Sequence, residues 1–315
     1  MTLNVNPLGP GAAEILNFDG TQPLAGDLCH ALNQVFLEYP VLVFRNQNLS
    51  AVQLAAFGRY FGKLESYGGP LPAGGKPPTA ALRQTTERQT PDQMLYLSPD
   101  DPDVLIMTNE IRTNEAPLAI IDNAETWHSD GSHKTEPYKA VLIHALRNPA
   151  FGGDTEFCDL RMLYQALDIK TKAILQNHSG IHHWSKSKNK LYRSTLDPVA
   201  QQEGDRIAAM IPEMRQPLVC AHPETGQPHL YLSPRFTLRI DGMPDEQSEA
   251  LLTTLFDMMD DQRFVYRHVW REKDLMIWDN RCTNHRVCSY EVNDIRTRHR
   301  ITVSGQPTIA FTSAT

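Results

Sequence analysis

The chain has little that would tie it to a membrane, to nucleic acid or to an oxidising compartment. No stretch approaches 18 uninterrupted apolar residues, and Met1 to Pro10 holds neither a basic region nor an apolar core of signal-peptide length. Neither a spanning helix nor an export signal is therefore expected. No run of five basic residues occurs and the formal charge is −7, so nothing draws the chain to nucleic acid or anionic lipid, and any anion must be held by local arginines. The cysteines are few, odd in number and scattered (Cys29, Cys158, Cys220, Cys282, Cys288), without a C-x-x-C. That pattern argues against a disulfide framework and a structural zinc site, and the reducing cytoplasm is the expected compartment. No internal repeat or low-complexity tract appears. A length of 315 residues favours one elaborated domain over two, since β-barrels and sandwiches often exceed 200 residues as one unit.

Apolar spacing predicts helices over 24–37, 51–61 (capped by Ser50), 160–168 (capped by Asp159) and 246–260 (capped by Asp245). Short β-branched runs predict strands at 41–45, 102–108, 138–146, 153–158, 178–184, 217–222, 263–270, 274–279 and 297–304. Segment 67–90 is rich in Gly, Pro, Thr and Gln and reads as a long loop, either a substrate lid or a plain surface loop, with Tyr67 at its start. Segment 110–124 reads as a polar connection, and 185–215 as an excursion from the main fold. The mixture is a β-rich α+β chain, most simply a double-sheet jelly roll with flanking helices.

Two metal-capable side chains one residue apart, His128 and Asp130 in Trp127-His128-Ser129-Asp130, are by themselves a weak signal. With 12 histidines in the chain, an H-x-D pair arises by chance about 0.8 times. Their company changes the odds. Gly152-Gly153-Asp154-Thr155 follows, then Trp278-Asp279-Asn280-Arg281, His285, Arg296 and Arg300. A 2-His-1-carboxylate facial triad is the set expected of non-haem Fe(II) oxygenases, and His128 with Asp130 would supply two of its corners. Arg296 and Arg300 are four apart on a strand-like segment and share a face. Two guanidiniums aimed at one interior call for anions there. The alternative is a solvated edge strand on which Arg296, Arg298 and Arg300 discourage aggregation. His182, His183, His222, His229 and His268 read as ordinary structural histidines, while His133 and His144 are candidates to support the metal ligands.

These motifs resemble the taurine dioxygenase and 2,4-dichlorophenoxyacetate dioxygenase family of Fe(II)- and 2-oxoglutarate-dependent enzymes. The likeness runs from about Asn6 to Val303 and is carried by V-L-V-F-R-N-Q at 41–47, W-H-S-D at 127–130, G-G-D-T-E-F-C-D at 152–159, H-P-E-T-G at 222–226, Y-L-S-P-R-F-T at 231–237, W-D-N-R at 278–281 and the spaced His285, Arg296 and Arg300. The resemblance implies a double-stranded β-helix in which His128, Asp130 and His285 ligate Fe(II). It also implies that Thr155 and Arg296 hold the distal carboxylate of 2-oxoglutarate beside Trp278, that O2 takes a remaining iron position, and that Arg300 grips an acidic primary substrate. Where taurine dioxygenase carries a substrate-contacting asparagine four residues before the first metal histidine, this chain has Ala124, which speaks against taurine itself. G-G-D-T-E-F-C-D and Phe264-Val265-Tyr266-Arg267-His268 look closer to the phenoxyacetate branch. A non-catalytic jelly roll that binds a small organic acid is the alternative function. A zinc hydrolase is disfavoured because no helical H-E-x-x-H is present. Association into a homo-oligomer is left open.

Overall fold

The computed structural model describes residues 3–67, 93–110, 119–121, 124–184, 210–291 and 294–312. Strands come first and dominate. β1 (Asn4–Gly9) and β2 (Ala12–Leu16) form a hairpin, and helix α1 (Gly26–Glu38) leads into β3 (Val41–Phe44). Helix α2 (Ala51–Gly58) starts at Ser50, whose hydroxyl accepts from the Gln53 N–H while the Gln53 side chain accepts from the Ser50 N–H, a reciprocal capping box. Then come β4 (Gln93–Leu97), β5 (Leu105–Thr108), β6 (Ala119–Ile121), β7 (Ala140–Arg147) and β8 (Thr155–Asp159). Helices α3 (Leu160–Ala166) and α4 (Ile169–Gln176) precede β9 (Ser179–His182), β10 (Met214–Pro217), β11 (Val219–Ala221), β12 (Pro228–Leu230) and β13 (Thr237–Ile240). Helix α5 (Asp245–Asp257) is followed by β14 (Val265–His268), β15 (Leu275–Asp279), β16 (Thr283–Val287) and β17 (Thr297–Val303). Among the described residues no helix is long and apolar enough to cross a membrane.

Two sheets position everything that matters for chemistry. The larger has nine strands in the order β1-β2-β3-β15-β7-β17-β5-β4-β6, and a smaller one has the order β14-β8-β16. Side chains alternate across a strand, so β7 sends Ala140 and Leu142 to one face and Val141, Ile143 and Ala145 to the other. The first set packs with Leu42, Phe44, Leu275, Ile277, Ile301 and Val303 against Leu32, Phe36, Leu54 and Phe57 of α1 and α2. The second set joins Val41, Val43, Met276 and Trp278 and meets Phe157, Tyr266 and Trp270 from the smaller sheet. This second layer is where the two sheets face each other.

Several sequence expectations need correction. Segment 110–124 contains a strand, β6, at its end. The helix expected over 160–168 stops at Ala166, and a second begins because the Asp168 carboxylate caps it by accepting from the Thr171 N–H. Asp245 lies inside α5, whose N-cap is Pro244, and the strand expected over 217–222 divides into parts of β10 and β11. β1, β2, β4, β12, β13 and β16 were not anticipated. The edge-strand alternative for the arginines fails: β17 is hydrogen-bonded on both sides, to β7 and to β5, and Arg296 and Arg298 are buried. Of the 67–90 loop only Tyr67 falls among the described residues, and 185–209 of the excursion lies outside them.

Candidate active site

A short backbone bridge holds the two histidines together. The His128 N–H donates to the His285 carbonyl at 3.0 Å and the His285 N–H returns to the His128 carbonyl at 2.8 Å. The imidazoles consequently face one another with ring centroids 4.2 Å apart. A residue pair 157 positions apart in sequence thus becomes a local one. Asp130 completes the set, with Oδ1 3.8 Å from His128 Nε2 and Oδ2 3.6 Å from His285 Nε2.

Hydrogen bonds from neighbours fix the Asp130 and His128 corners. Asn280 acts as a clamp: its Oδ1 accepts from the Asp130 N–H at 2.8 Å, its Nδ2 donates to the Asp130 carbonyl, and its own carbonyl accepts from the Ser129 hydroxyl at 2.6 Å. Trp127 donates its indole N–H to Asp260 and carries the Arg286 guanidinium over its ring. His128 Nδ1 lies 2.7 Å from the Thr126 carbonyl, which must accept. The proton therefore sits on Nδ1, and Nε2 presents its lone pair to the cluster.

Charge follows the same geometry. Burial, then the charge of His285, pushes the His128 imidazole well below its usual range, and burial brings His285 down to about 4. Burial alone would raise the Asp130 carboxyl, but Arg300, then His285 and His128, outweigh it and hold it below the ordinary carboxylate range. Two neutral imidazoles and one carboxylate are the forms that ligate a divalent metal. One ligand atom from each lies within 4.8 Å of the others, so this donor set fits an iron(II) ion.

The co-substrate residues expected from sequence come from both sheets. Thr155 opens β8, delivered by a turn in which Gly152 and Gly153 have φ of +75° and +69°. A Cβ on Gly152 would come within 2.3 Å of the Ser289 carbonyl oxygen, which explains the glycine. Thr155 Oγ1 accepts from the Trp270 indole N–H at 2.9 Å, so the threonine's own proton is free to be donated elsewhere. Trp278 lies on β15, buried, with its ring 4.7 Å from that of His285. Arg296 is 1% exposed, precedes β17 and is tethered by its N–H to Asn109 Oδ1. Its guanidinium bonds Tyr290, while Nε and Nη1 have no partner among the described residues.

Arg300 lies on the inner face of β17 and donates from Nη2 to Asp130 Oδ2 at 2.9 Å. Two phenols surround it. Tyr67 donates its hydroxyl to Thr302 Oγ1 at 2.7 Å, and burial raises both Tyr67 and Tyr138 to about 12, leaving both protonated. Phe236 packs against His128 and against His133, whose Nδ1 has no partner among the described residues. His144 bonds the Gln47 carbonyl from the helix-covered face and does not support the ligands. His182, His183, His222, His229 and His268 are buried and bonded, as read. Sequence reasoning missed Asn280, Trp270 and Phe236 as neighbours of the site, and the W-D-N-R motif was a signal for the first.

A β-rich fold in which two sheets face each other with a histidine-aspartate-histidine cluster between them is the apparatus of a non-haem iron oxygenase. The match to the family model described as "Taurine catabolism dioxygenase TauD, TfdA family" spans residues 4–302, and the chain belongs to that family. It is 30% identical over 304 residues to an alpha-ketoglutarate-dependent 2,4-dichlorophenoxyacetate dioxygenase of Cupriavidus pinatubonensis, covering 96% of this chain and 98% of the relative. It is 29% identical to an (S)-phenoxypropionate/alpha-ketoglutarate-dioxygenase of Sphingobium herbicidovorans, over 88% and 86% of the two chains. The crystal structure of AAD-2 in complex with Mn(II) and N-oxalylglycine superposes with a TM-score of 0.72 at 27% identity, covering 98% of this chain and all of the other. The protein is accordingly a 2-oxoglutarate-dependent dioxygenase, an oxidoreductase that uses Fe(II), 2-oxoglutarate and O2.

Proposed function

We propose that this dioxygenase oxidises a small acidic substrate, a carboxylate, sulfonate or sulfate ester, on a double-stranded β-helix formed as a single domain over residues 1–315 in the cytoplasm. His128, Asp130 and His285 are the iron ligands, Thr155 and Arg296 hold the distal carboxylate of 2-oxoglutarate beside Trp278, and Arg300 anchors the substrate. The observation that carries this reading is the convergence of the three ligand side chains within 4.8 Å, with the Arg300 guanidinium on the Asp130 carboxylate. Relatives named for phenoxyacetate and phenoxypropionate make aryloxyalkanoates the first class to try.

Iron(II) held there would, with 2-oxoglutarate and O2, supply the oxidising chemistry for an unactivated C–H bond, one oxygen atom of O2 going into succinate, which leaves with carbon dioxide, and the other to the substrate. The chain's residues do the rest. Thr155 donates the proton that Trp270 leaves it, and the Arg296 fork matches a carboxylate bidentately. Arg300 offers the substrate acid a charged fork, and the Tyr67 and Tyr138 hydroxyls stay protonated beside it. Phe236, Phe157 and Trp278 keep the surroundings of the ligands apolar, which excludes water and holds the substrate in one orientation.

The test is a screen of aryloxyalkanoates, sulfonates, sulfate esters and acylated amino acids for substrate-dependent succinate release. An acid that raises succinate formation and is itself oxidised supports the reading. Release that no acid stimulates, against stimulation by a neutral compound, overturns the acidic substrate.

A further inference from the structure

We propose that Arg298 is a second cationic anchor for the distal carboxylate of 2-oxoglutarate, acting beside Arg296 and Thr155 and restricting this site to 2-oxo acids with a second carboxylate. The proposal rests on the co-substrate site inferred above. Its starting point is the register of β17. The pairing with β7 skips a residue between Thr297 and Arg298, so that Arg298 lies opposite Ala145 and Arg300 opposite Ile143. Ala145 and Ile143 belong to the layer between the two sheets, and Arg298 projects with them.

The guanidinium is 0% exposed. Nη1 donates to the carbonyls of Arg147 and Thr297, while Nε and Nη2 have no partner among the described residues. An arginine stays charged in a protein interior, and a buried charge without a counter-charge is strongly unfavourable. The acids whose field reaches it are Asp274 and Glu272. Asp274 Oδ2 is taken by Arg45, His268 and the Arg271 N–H, its Oδ1 is buried but makes no hydrogen bond to Arg298 or to any other described residue, and Glu272 is exposed. Arg296 adds repulsion. Two buried cations thus present four unpartnered nitrogens: Nε and Nη1 of Arg296, Nε and Nη2 of Arg298.

The link to the co-substrate is Trp270. The Arg298 guanidinium carbon lies 4.8 Å from the centroid of that ring, and the indole N–H of the same ring bonds Thr155 Oγ1 at 2.9 Å. Arg298 is therefore one aromatic ring away from the hydroxyl assigned to the distal carboxylate. A carboxylate accepts about four hydrogen bonds, enough for one from Thr155 and for both guanidiniums. The competing role is mechanical: Arg298 could serve only to brace Trp270.

Calorimetric titration of 2-oxoglutarate and of 2-oxopentanoate, which carries a methyl group in place of the distal carboxylate, into Mn(II)-loaded protein separates these roles without turnover. Arg298→Met should weaken 2-oxoglutarate at least tenfold, leave 2-oxopentanoate and Mn(II) within about twofold of wild type, and not lower the melting temperature of the ligand-free protein. Arg298→Lys should recover only part of the loss, since a point charge lacks the fork. Unchanged 2-oxoglutarate affinity in Arg298→Met, or an equal loss for both acids, overturns the proposal. Should Arg298→Met not fold, Arg298→Lys decides: a loss confined to 2-oxoglutarate supports the proposal, and wild-type affinity for both acids overturns it. A wild type that binds no 2-oxoglutarate would instead overturn the co-substrate assignment itself.

Discussion

At the scale of single residues, roles separate by what each side chain has left to offer. Arg296 has two nitrogens without a partner among the described residues in a buried setting, so Arg296→Ala should weaken 2-oxoglutarate by about 2–5 kcal/mol, the range for truncating one member of a buried charged pair. Thr155→Val removes one neutral donor to a charged acceptor and should cost about 1.5–3 kcal/mol. Both are read from titrations of the Mn(II)-loaded protein, and equal affinities across the three proteins would place the carboxylate elsewhere. Arg300 differs because it already has an anionic partner, Asp130. Arg300→Ala should raise the KM of an acidic substrate sharply and increase the share of 2-oxoglutarate consumed without product, while 2-oxoglutarate affinity changes little. Arg300→Lys should recover little of this. Succinate and oxidised product measured together decide it: unchanged KM and coupling in Arg300→Ala would mean that the substrate is not anchored there.

At the scale of elements, the turn before β8 and the strand β17 do the positioning. Gly152→Ala would set a Cβ 2.3 Å from the Ser289 carbonyl at φ +75°, a conformation costing an L-residue about 1–2 kcal/mol before the clash is counted. The turn should yield by shifting Thr155 and the 289–290 backbone together. Lowered stability in urea with weaker 2-oxoglutarate binding is the expected pair, and a variant as stable as wild type would mean that the turn is slack. Much of this was legible in the sequence. The alternation after Arg296 marked a strand with arginines on one face, and W-H-S-D with His285 named the residues that converge, whereas the turn at Gly152 and Gly153 was not read. What could not be read was adjacency across the molecule. Trp270 meets Thr155, and Asn280 meets Asp130, through sheet order and register, which periodicity does not encode. The burial of Arg298 hid for a related reason: the same alternation fits an exposed edge and an interior strand, and only the pairing of β17 on both sides distinguishes them. β1 and β2 were missed because Asn4 to Leu16 lacks a long β-branched run and owes its pairing to the neighbouring β3.

At the scale of the whole molecule, the question is where a divalent ion goes and what it does to stability. The described residues contain two clusters of potential ligands, His128-Asp130-His285 and His222-Asp279-Cys282. The second is already satisfied. Asp279 Oδ1 accepts from Arg281 Nε, Oδ2 accepts from Arg281 Nη2 and His222 Nε2, and burial, then Asp279, raises the Cys282 thiol far above its usual range. A metal there would have to break these bonds and deprotonate that thiol. In the first cluster the His128 Nε2 lone pair already faces inward, and His285 Nε2 lies 3.6 Å from Asp130 Oδ2. The apolar core extends over both faces of the large sheet, well beyond the ligand cluster, so the fold should stand without metal and gain from it only by linkage. Mn(II) with 2-oxoglutarate at about 100 times Kd should add about 2.7 kcal/mol, a rise in Tm of roughly 4 °C at about 1.5 °C per kcal/mol for a chain of this length. His285→Ala should melt close to ligand-free wild type, lose the Mn(II)-dependent rise and have no substrate-coupled turnover. Arg296→Ala should keep the rise due to Mn(II) alone and lose most of the increment due to 2-oxoglutarate. A full rise in His285→Ala would put the ion at another site, and collapse of the ligand-free variant would make His285 a structural residue first and a ligand second.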